Sequence, residues 1–182
     1  MSKAQTENSY LADKMWLRIN NSNIEDGTKV LDGYHAQGSI WKNIEKITGK
    51  KIKVTKIDIE DKDDENFVII GDNRKVIKSL NLKKYDILDL DAFGFPYENL
   101  IECFNQKYKG VVFVTFIQSM AGALNHKMLL ELGYTKKMIN KCPTLFYKNG
   151  IEKVKKWLSL HGVEKITIRS KGKKHYFAVN LT

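Results

Sequence analysis

Four aspartates stand where a carboxylate could do chemistry. Asp32, Asp58, Asp72 and Asp91 each close, or follow directly on, a short apolar run, and Glu60 lies two residues beyond Asp58. In an extended chain that spacing puts Glu60 and Asp58 on one face. Asp32 also opens a turn carrying Gly33, Tyr34, His35 and Gly38, ahead of an amphipathic segment that begins at Ser39. A strand, a glycine turn and a helix N-terminus leave backbone N–H groups facing a crevice, where a ligand can approach the main chain closely. The turn is not G-x-G-x-x-G, so a dinucleotide is not the first expectation. One such Asp alone reads as a solvated turn residue. Several gathered at one sheet edge would repel one another without cationic or hydroxyl partners, so a bound ligand carrying such groups is expected.

The elements that must position these residues follow from periodicity. Ser9–Ile19 predicts a short helix with Leu11, Met15, Trp16 and Ile19 on one face. Strand one spans Lys29–Gly33, followed by a helix over Ser39–Thr48 stopped by Gly49. Strands two and three are expected at Lys51–Ile59 and Phe67–Ile70, with an abbreviated crossover through the charged run between them. A helix over Arg74–Leu80 leads to strand four, Tyr85–Leu90, and a helix over Tyr97–Tyr108 to strand five, Gly110–Ile117. The unbroken apolar run of strand five marks it as covered on both faces. Helices over Asn125–Leu132 and Gly150–Leu160 flank a basic segment, and Val163–Ser170 and His175–Leu181 form a terminal hairpin around Lys171–Lys174. Strands and helices alternating in this way require an α/β fold: a three-layer, mostly parallel sheet with one antiparallel strand in the C-terminal hairpin. Residues 1–28 read as an N-terminal helix and connection, and residues 29–182 as a single domain.

The segment Val30–Gly38, Val-Leu-Asp-x-Tyr-x-Ala-x-Gly, resembles the first motif of Rossmann-like (class I) S-adenosylmethionine-dependent methyltransferases. Seven strands ending in a hairpin are similar to that family's layout from Lys29 to the C-terminus. The resemblance implies S-adenosylmethionine as cofactor, with Asp32, Gly33, Tyr34, His35 and Gly38 passing under its methionine part. It also implies Asp58 on the ribose hydroxyls with Glu60 as the alternative, Asp72 and Asn73 at the adenine, and Asp91 facing the sulfonium and the target. Asp89–Pro96 (Asp-Leu-Asp-Ala-Phe-Gly-Phe-Pro) resembles the strand-four motif of tRNA guanine dimethyltransferases. That likeness makes Asp91 the acceptor for an exocyclic amine and Phe93 or Phe95 the ring that stacks on the base. Ala92 stands where that family has proline, and Phe95 where a small residue is usual.

The formal net charge of +10 is carried by one half of the chain. Residues up to Asp91 hold 16 basic and 16 acidic side chains, and those from Ala92 hold 15 against 5. Such asymmetry suits a polyanionic partner, most simply a nucleic acid, although a lysine-rich surface serving solubility explains it equally well. The basic residues cluster at Lys136, Lys137 and Lys141, and at Arg169, Lys171, Lys173 and Lys174, with Tyr134, Phe146 and Tyr147 among them as rings that could stack on bases.

Other chemistry finds less support. Cys103 falls mid-helix and Cys142 precedes a proline, so neither is placed as a pyrimidine-attacking nucleophile; Gln118–Met120 could line a target pocket. No metal spacing and no nucleophile elbow occur. Two separated cysteines, no signal-peptide core and no long apolar run lead to the expectation of a cytoplasmic protein without a membrane partner. The reading is methyl transfer to a nucleic acid, RNA before DNA, at a base nitrogen. A non-catalytic binding or partner subunit of the same fold, or a small-molecule or protein methyltransferase, remain the alternatives.

Overall fold

A computed structural model describes residues 10–35, 39–59, 68–92, 94–117, 125–141 and 145–182. Its strands are β1 (Lys29–Asp32), β2 (Lys53–Asp58), β3 (Val68–Ile70), β4 (Ile87–Leu90), β5 (Gly110–Ile117), β6 (Lys165–Lys171) and β7 (Lys174–Leu181). The helices are α1 (Leu11–Asn21), α2 (Ser39–Thr48), α3 (Asn73–Ser79), α4 (Tyr97–Asn105), α5 (His126–Glu131), α6 (Lys136–Lys141) and α7 (Leu145–Leu160). The strands form one sheet in the order β3-β2-β1-β4-β5-β7-β6, with only β7 antiparallel to its neighbours. The expected mixed α/β sheet with its C-terminal antiparallel hairpin is therefore present.

Alternation along each strand divides the core in two. Val30, Ile87, Phe113, Tyr176 and Ala178 point to the face covered by α1 and α2, through Leu17, Trp41 and Ile44. Leu31, Leu88, Leu90, Val112, Val114, Phe177 and Val179 point to the other face, against Ile77 of α3, Leu100 of α4, Met128 of α5 and Trp157 of α7. A strand pair between two helical layers buries both faces, which is why every residue of β4 is buried, Asp89 included, and the middle of β5 reads as a continuous apolar run.

The parallel strands end along one rim. Asp32 is in register with Lys56 of β2 and Asp89 of β4, Asp58 with Ile70, and Ile117 with Lys174 at the start of β7. The β6–β7 turn, Gly172-Lys173, lies at this same rim, and Gly172 supplies the φ of +60° that so short a connection requires. The chain runs outward from β1 to β2 and β3, then returns to β4, so the topological switch point falls between β1 and β4.

Two boundaries differ from the sequence reading in an informative way. The last helix starts at Leu145, and Gly150, taken as its first residue, is buried inside it. The basic segment before Cys142 is itself helical, as α6.

Candidate functional site

At the switch point the sheet rim is held by an ion network that reaches in from α1. Arg18 and Asp89 are both buried. Arg18 Nη2 donates to Asp89 Oδ1 at 2.6 Å and Nε to Asp89 Oδ2 at 2.8 Å. Trp41 Nε1 of α2 donates to the same Oδ2 at 2.8 Å. Two residues on, Asp91 Oδ2 receives Lys14 Nζ at 2.7 Å and lies 3.4 Å from Arg18 Nη2, while Thr115 of β5 donates its hydroxyl to Oδ1. Helical spacing makes this possible: Lys14 and Arg18 are four residues apart and share a face of α1, while Asp89 and Asp91 share a face of the extended chain.

Electrostatics follow burial. Desolvation pushes the Asp89 carboxyl up to about 6, against the pull of Arg18. Desolvation acts upward on Asp91 too, but the charges of Arg18 and Lys14 outweigh it and hold Asp91 below its ordinary value. Burial pulls on Arg18 in the opposite sense, and Asp89, Asp91 and Asp32 keep its guanidinium charged. Three carboxylates, Asp32, Asp89 and Asp91, thus stand around the two cations Arg18 and Lys14.

The turn after β1 corrects one expectation. Its first N–H groups do not face an open crevice: Gly33 N donates to Asp89 O at 2.9 Å and His35 N to Ile57 O at 3.2 Å, and Tyr34 N lies 3.3 Å from Asp32 Oδ1. Gly33 is there for packing, since a Cβ would come within 3.1 Å of Ile77 Cδ1 and 3.2 Å of Leu90 Cδ2. His35 is buried, with Nδ1 3.0 Å from Asp32 Oδ2, so it steadies that carboxylate. Tyr34 turns toward α4, where Asn99 Nδ2 donates to its hydroxyl at 2.9 Å, and burial pushes that hydroxyl up to about 12.

The remaining candidates divide. Asp58 stands half-buried at the end of β2, on the rim as expected, with its carbonyl accepting from Gly71 N at 2.9 Å. Asp72 is the N-cap of α3: it accepts from Arg74 N at 3.0 Å and pairs with the Arg74 guanidinium at 2.7 Å. Asn73 Nδ2 donates to Gly33 O at 3.2 Å, which ties α3 to the first turn. Both residues placed at the adenine are thus engaged in structural bonds. Phe95, placed as a base-stacking ring, packs edge-on against Phe116 and Trp157 instead, at 5.5 and 6.1 Å between centroids. Asp91, placed as the acceptor for an exocyclic amine, accepts from Lys14, Arg18 and Thr115. Gly38, Glu60, Phe93, Gln118–Met120 and Cys142 lie outside the described residues, as do the side chains of Phe146 and Tyr147.

Of the basic residues, Lys136, Lys137 and Lys141 are exposed on α6. The hairpin cations lean on α1: Arg169 covers the Trp16 ring at 3.7 Å, Lys174 lies 5.6 Å from the Tyr10 ring, and Lys171 pairs with Asp13 at 3.4 Å. Tyr134, offered as a stacking ring, is buried, with its hydroxyl donating to Asn149 at 2.5 Å. Cys103 is a buried free thiol. Among the described residues no cluster of His, Cys, Asp and Glu could hold a metal ion, and no helix is long and apolar enough to cross a membrane.

Arg18, Lys14, Asp89, Trp41 and Thr115 were missed as site residues. Asp89 carried a signal: an acid inside Ile-Leu-Asp-Leu, a strand with both faces covered, must find a buried donor. Arg18, beside the apolar Leu17 and Ile19, was the matching cation, but nothing local joins two positions 71 residues apart.

No protein-family model matches the sequence, and no curated protein matches it. Solved structures share its architecture. A SAM-dependent methyltransferase from Archaeoglobus fulgidus matches with TM-score 0.54 at 15% identity, covering 94% of each chain. A protein of Plasmodium falciparum assigned as a ribosomal RNA methyltransferase matches with TM-score 0.55 at 16% identity, over 95% of this chain and 96% of its own. Phosphoethanolamine N-methyltransferase 2 of Haemonchus contortus, solved with phosphomonomethylethanolamine and S-adenosylhomocysteine, matches with TM-score 0.57 at 10% identity. This chain covers 52% of that longer protein. The likeness is one of fold: the chain has the class I methyltransferase architecture.

Proposed function

We propose that this chain is an S-adenosylmethionine-dependent methyltransferase acting on a nucleic acid, RNA before DNA, at a base nitrogen. The observation that carries the reading is the gathering of Asp32, Asp89 and Asp91 on the rim at the switch point between β1 and β4, around Arg18 and Lys14. Such a rim favours a cationic ligand. The cofactor, when bound, supplies a methyl group on a cationic sulfur. Asp58, at the end of β2, suits its ribose hydroxyls as an acceptor. The fit is poorer at the methionine end, because the Gly33 and His35 N–H groups are already bonded.

Asp91 accepts from Lys14 and Arg18 on Oδ2 and from Thr115 on Oδ1, which leaves a lone pair on Oδ1 for a base amine. Arg18 and Thr115 would then keep the carboxylate oriented, and its oxygen would accept the amine hydrogen and steer the nitrogen lone pair. The likeness of Asp89–Pro96 to tRNA guanine dimethyltransferases belongs to this same proposal. A cytoplasmic location does too, supported by the free thiol of Cys103.

A second reading is a non-catalytic nucleic-acid-binding subunit of this fold, favoured by the bonded turn amides and the ion-paired Asp91. Incubation with methyl-labelled S-adenosylmethionine and total RNA or DNA, followed by nucleoside mass spectrometry, separates the two. Label in an RNA base, lost in Asp91→Ala, is the expected result. Cofactor binding with no transfer to any nucleic acid would leave the second reading standing and overturn the first.

A further inference from the structure

We propose that a single-stranded RNA segment lies across the strip formed by the edge strand β6 and the adjoining face of α1. This rests on the nucleic-acid reading above and adds where the strand is held. Residues paired across β6 and β7 share a sheet face. Lys165, Thr167, Arg169 and Lys171 pair with Asn180, Ala178, Tyr176 and Lys174, and Tyr176 and Ala178 belong to the α1–α2 side of the core. Alternate residues Ile166 and Ile168 point the opposite way, into the other half of the core. Three cations of the edge strand, Lys165, Arg169 and Lys171, therefore face the α1 side, about 14 and about 7 Å apart by strand geometry.

Rings and cations interleave between the hairpin and α1 with its N-cap Tyr10. Arg169 lies 3.7 Å above Trp16, Lys174 5.6 Å from Tyr10, and Lys14 5.1 Å from Tyr176. Trp16 keeps 41% of its surface exposed although it belongs to the helix that carries the buried Leu17 and Arg18. A bare solubility face would need charges but no exposed indole under a guanidinium. Cations in a row beside a guanidinium stacked on an indole are what a single strand can use: phosphates on the lysines, a base on the exposed edge or outer face of the Arg169–Trp16 stack. Asp13 of α1 lies on the strip and pairs with Lys171 at 3.4 Å. The strip begins at the rim, since Lys171 and Lys174 border the β6–β7 turn and Lys14 bonds Asp91. A strand bound there reaches the switch point at its end.

Tryptophan emission gives a local readout, because Trp41 and Trp157 are each only 2% exposed. The test titrates the full chain with fluorescein-labelled U20 RNA, by anisotropy and by tryptophan quenching. The variants are Lys165→Glu with Arg169→Gln, the exposed Lys165→Glu alone, Trp16→Phe, and Lys136→Glu with Lys137→Glu; thermal melts check folding. We expect quenching in the parent chain and none in Trp16→Phe. The Lys165/Arg169 pair should bind at least about tenfold more weakly, with a salt slope shallower by about 1.4, and Lys165→Glu should lose about half that slope. Unchanged affinity in the β6 variants with loss in the α6 variant overturns this surface and leaves the nucleic-acid reading intact. No RNA binding by the parent chain overturns both, and equal affinity for duplex RNA overturns the single-strand assignment.

Discussion

Arg18 and Asp89, 71 residues apart in the chain, meet through two hydrogen bonds of 2.8 and 2.6 Å, with both side chains only 2% exposed. The pair fastens the first helix to the strand whose end forms the proposed site. Removing one partner strands the other's charge in the core, at a cost of about 3–5 kcal/mol. Arg18→Met is therefore expected to lower urea stability by that amount. Replacing Arg18, Asp89 and Trp41 together with Met, Leu and Phe should restore most of it, since no buried charge or donor is left over. A single variant costing under about 1 kcal/mol would contradict a buried pair.

Asp72 and Arg74 form a different kind of pair, on the surface. Hydrogen bonds from the Arg74 side chain and backbone hold the Asp72 carboxyl down at about 2. A depressed folded value means the contribution is complete above the unfolded carboxylate range near pH 4 and is lost as pH falls through about 2. Carboxyl NMR titration should place the Asp72 midpoint near 2, and Arg74→Ala should raise it toward the ordinary value. An unshifted midpoint in the parent chain would show that Asp72 does not cap α3 as described.

Gly33 has two readings with different consequences. If it serves packing, Gly33→Ala pushes on Ile77 Cδ1 and Leu90 Cδ2 and costs about 1–3 kcal/mol in a urea melt. Pairing it with Ile77→Val should return part of the loss. An unchanged melt together with weakened cofactor affinity would instead restore the ligand-cradle role expected from the sequence.

Burial pushes the Cys103 thiol up to about 12. At pH 8 its thiolate fraction is then about one in ten thousand, so iodoacetamide should leave Cys103 unmodified in the folded chain and alkylate it in urea. Peptide mass spectrometry reads the result. Rapid native modification would place the thiol outside the core.

The frame was legible wherever one local signal decided it. β5 and α2 were read to the residue, β5 from its unbroken apolar run and α2 from its periodicity and the left-handed Gly49 that ends it. The mostly parallel sheet with its antiparallel C-terminal hairpin followed from the alternation of strands and helices. The site was legible only as positions on a rim. That Asp32, Asp58 and Asp91 end strands was visible, but what they bond to was not, because Lys14, Arg18, Trp41 and Thr115 come from other elements. Trp16 was assigned to the buried face of α1 from its apolar character. It is instead half-exposed beneath Arg169, while the charged Arg18 turns inward. Hydropathy cannot foresee an exchange of that kind, because it depends on a partner on a distant strand.

The central claim is that the rim between β1 and β4 receives the cofactor, with Asp58 on its ribose. Isothermal titration of S-adenosylhomocysteine into the parent chain and into Asp58→Ala tests it most directly. We expect saturable one-to-one binding by the parent chain and at least about a tenfold weaker constant in the variant, as befits the loss of charge-assisted hydrogen bonds. No heat of binding in the parent chain, or equal affinity in a folded Asp58→Ala, would contradict the account.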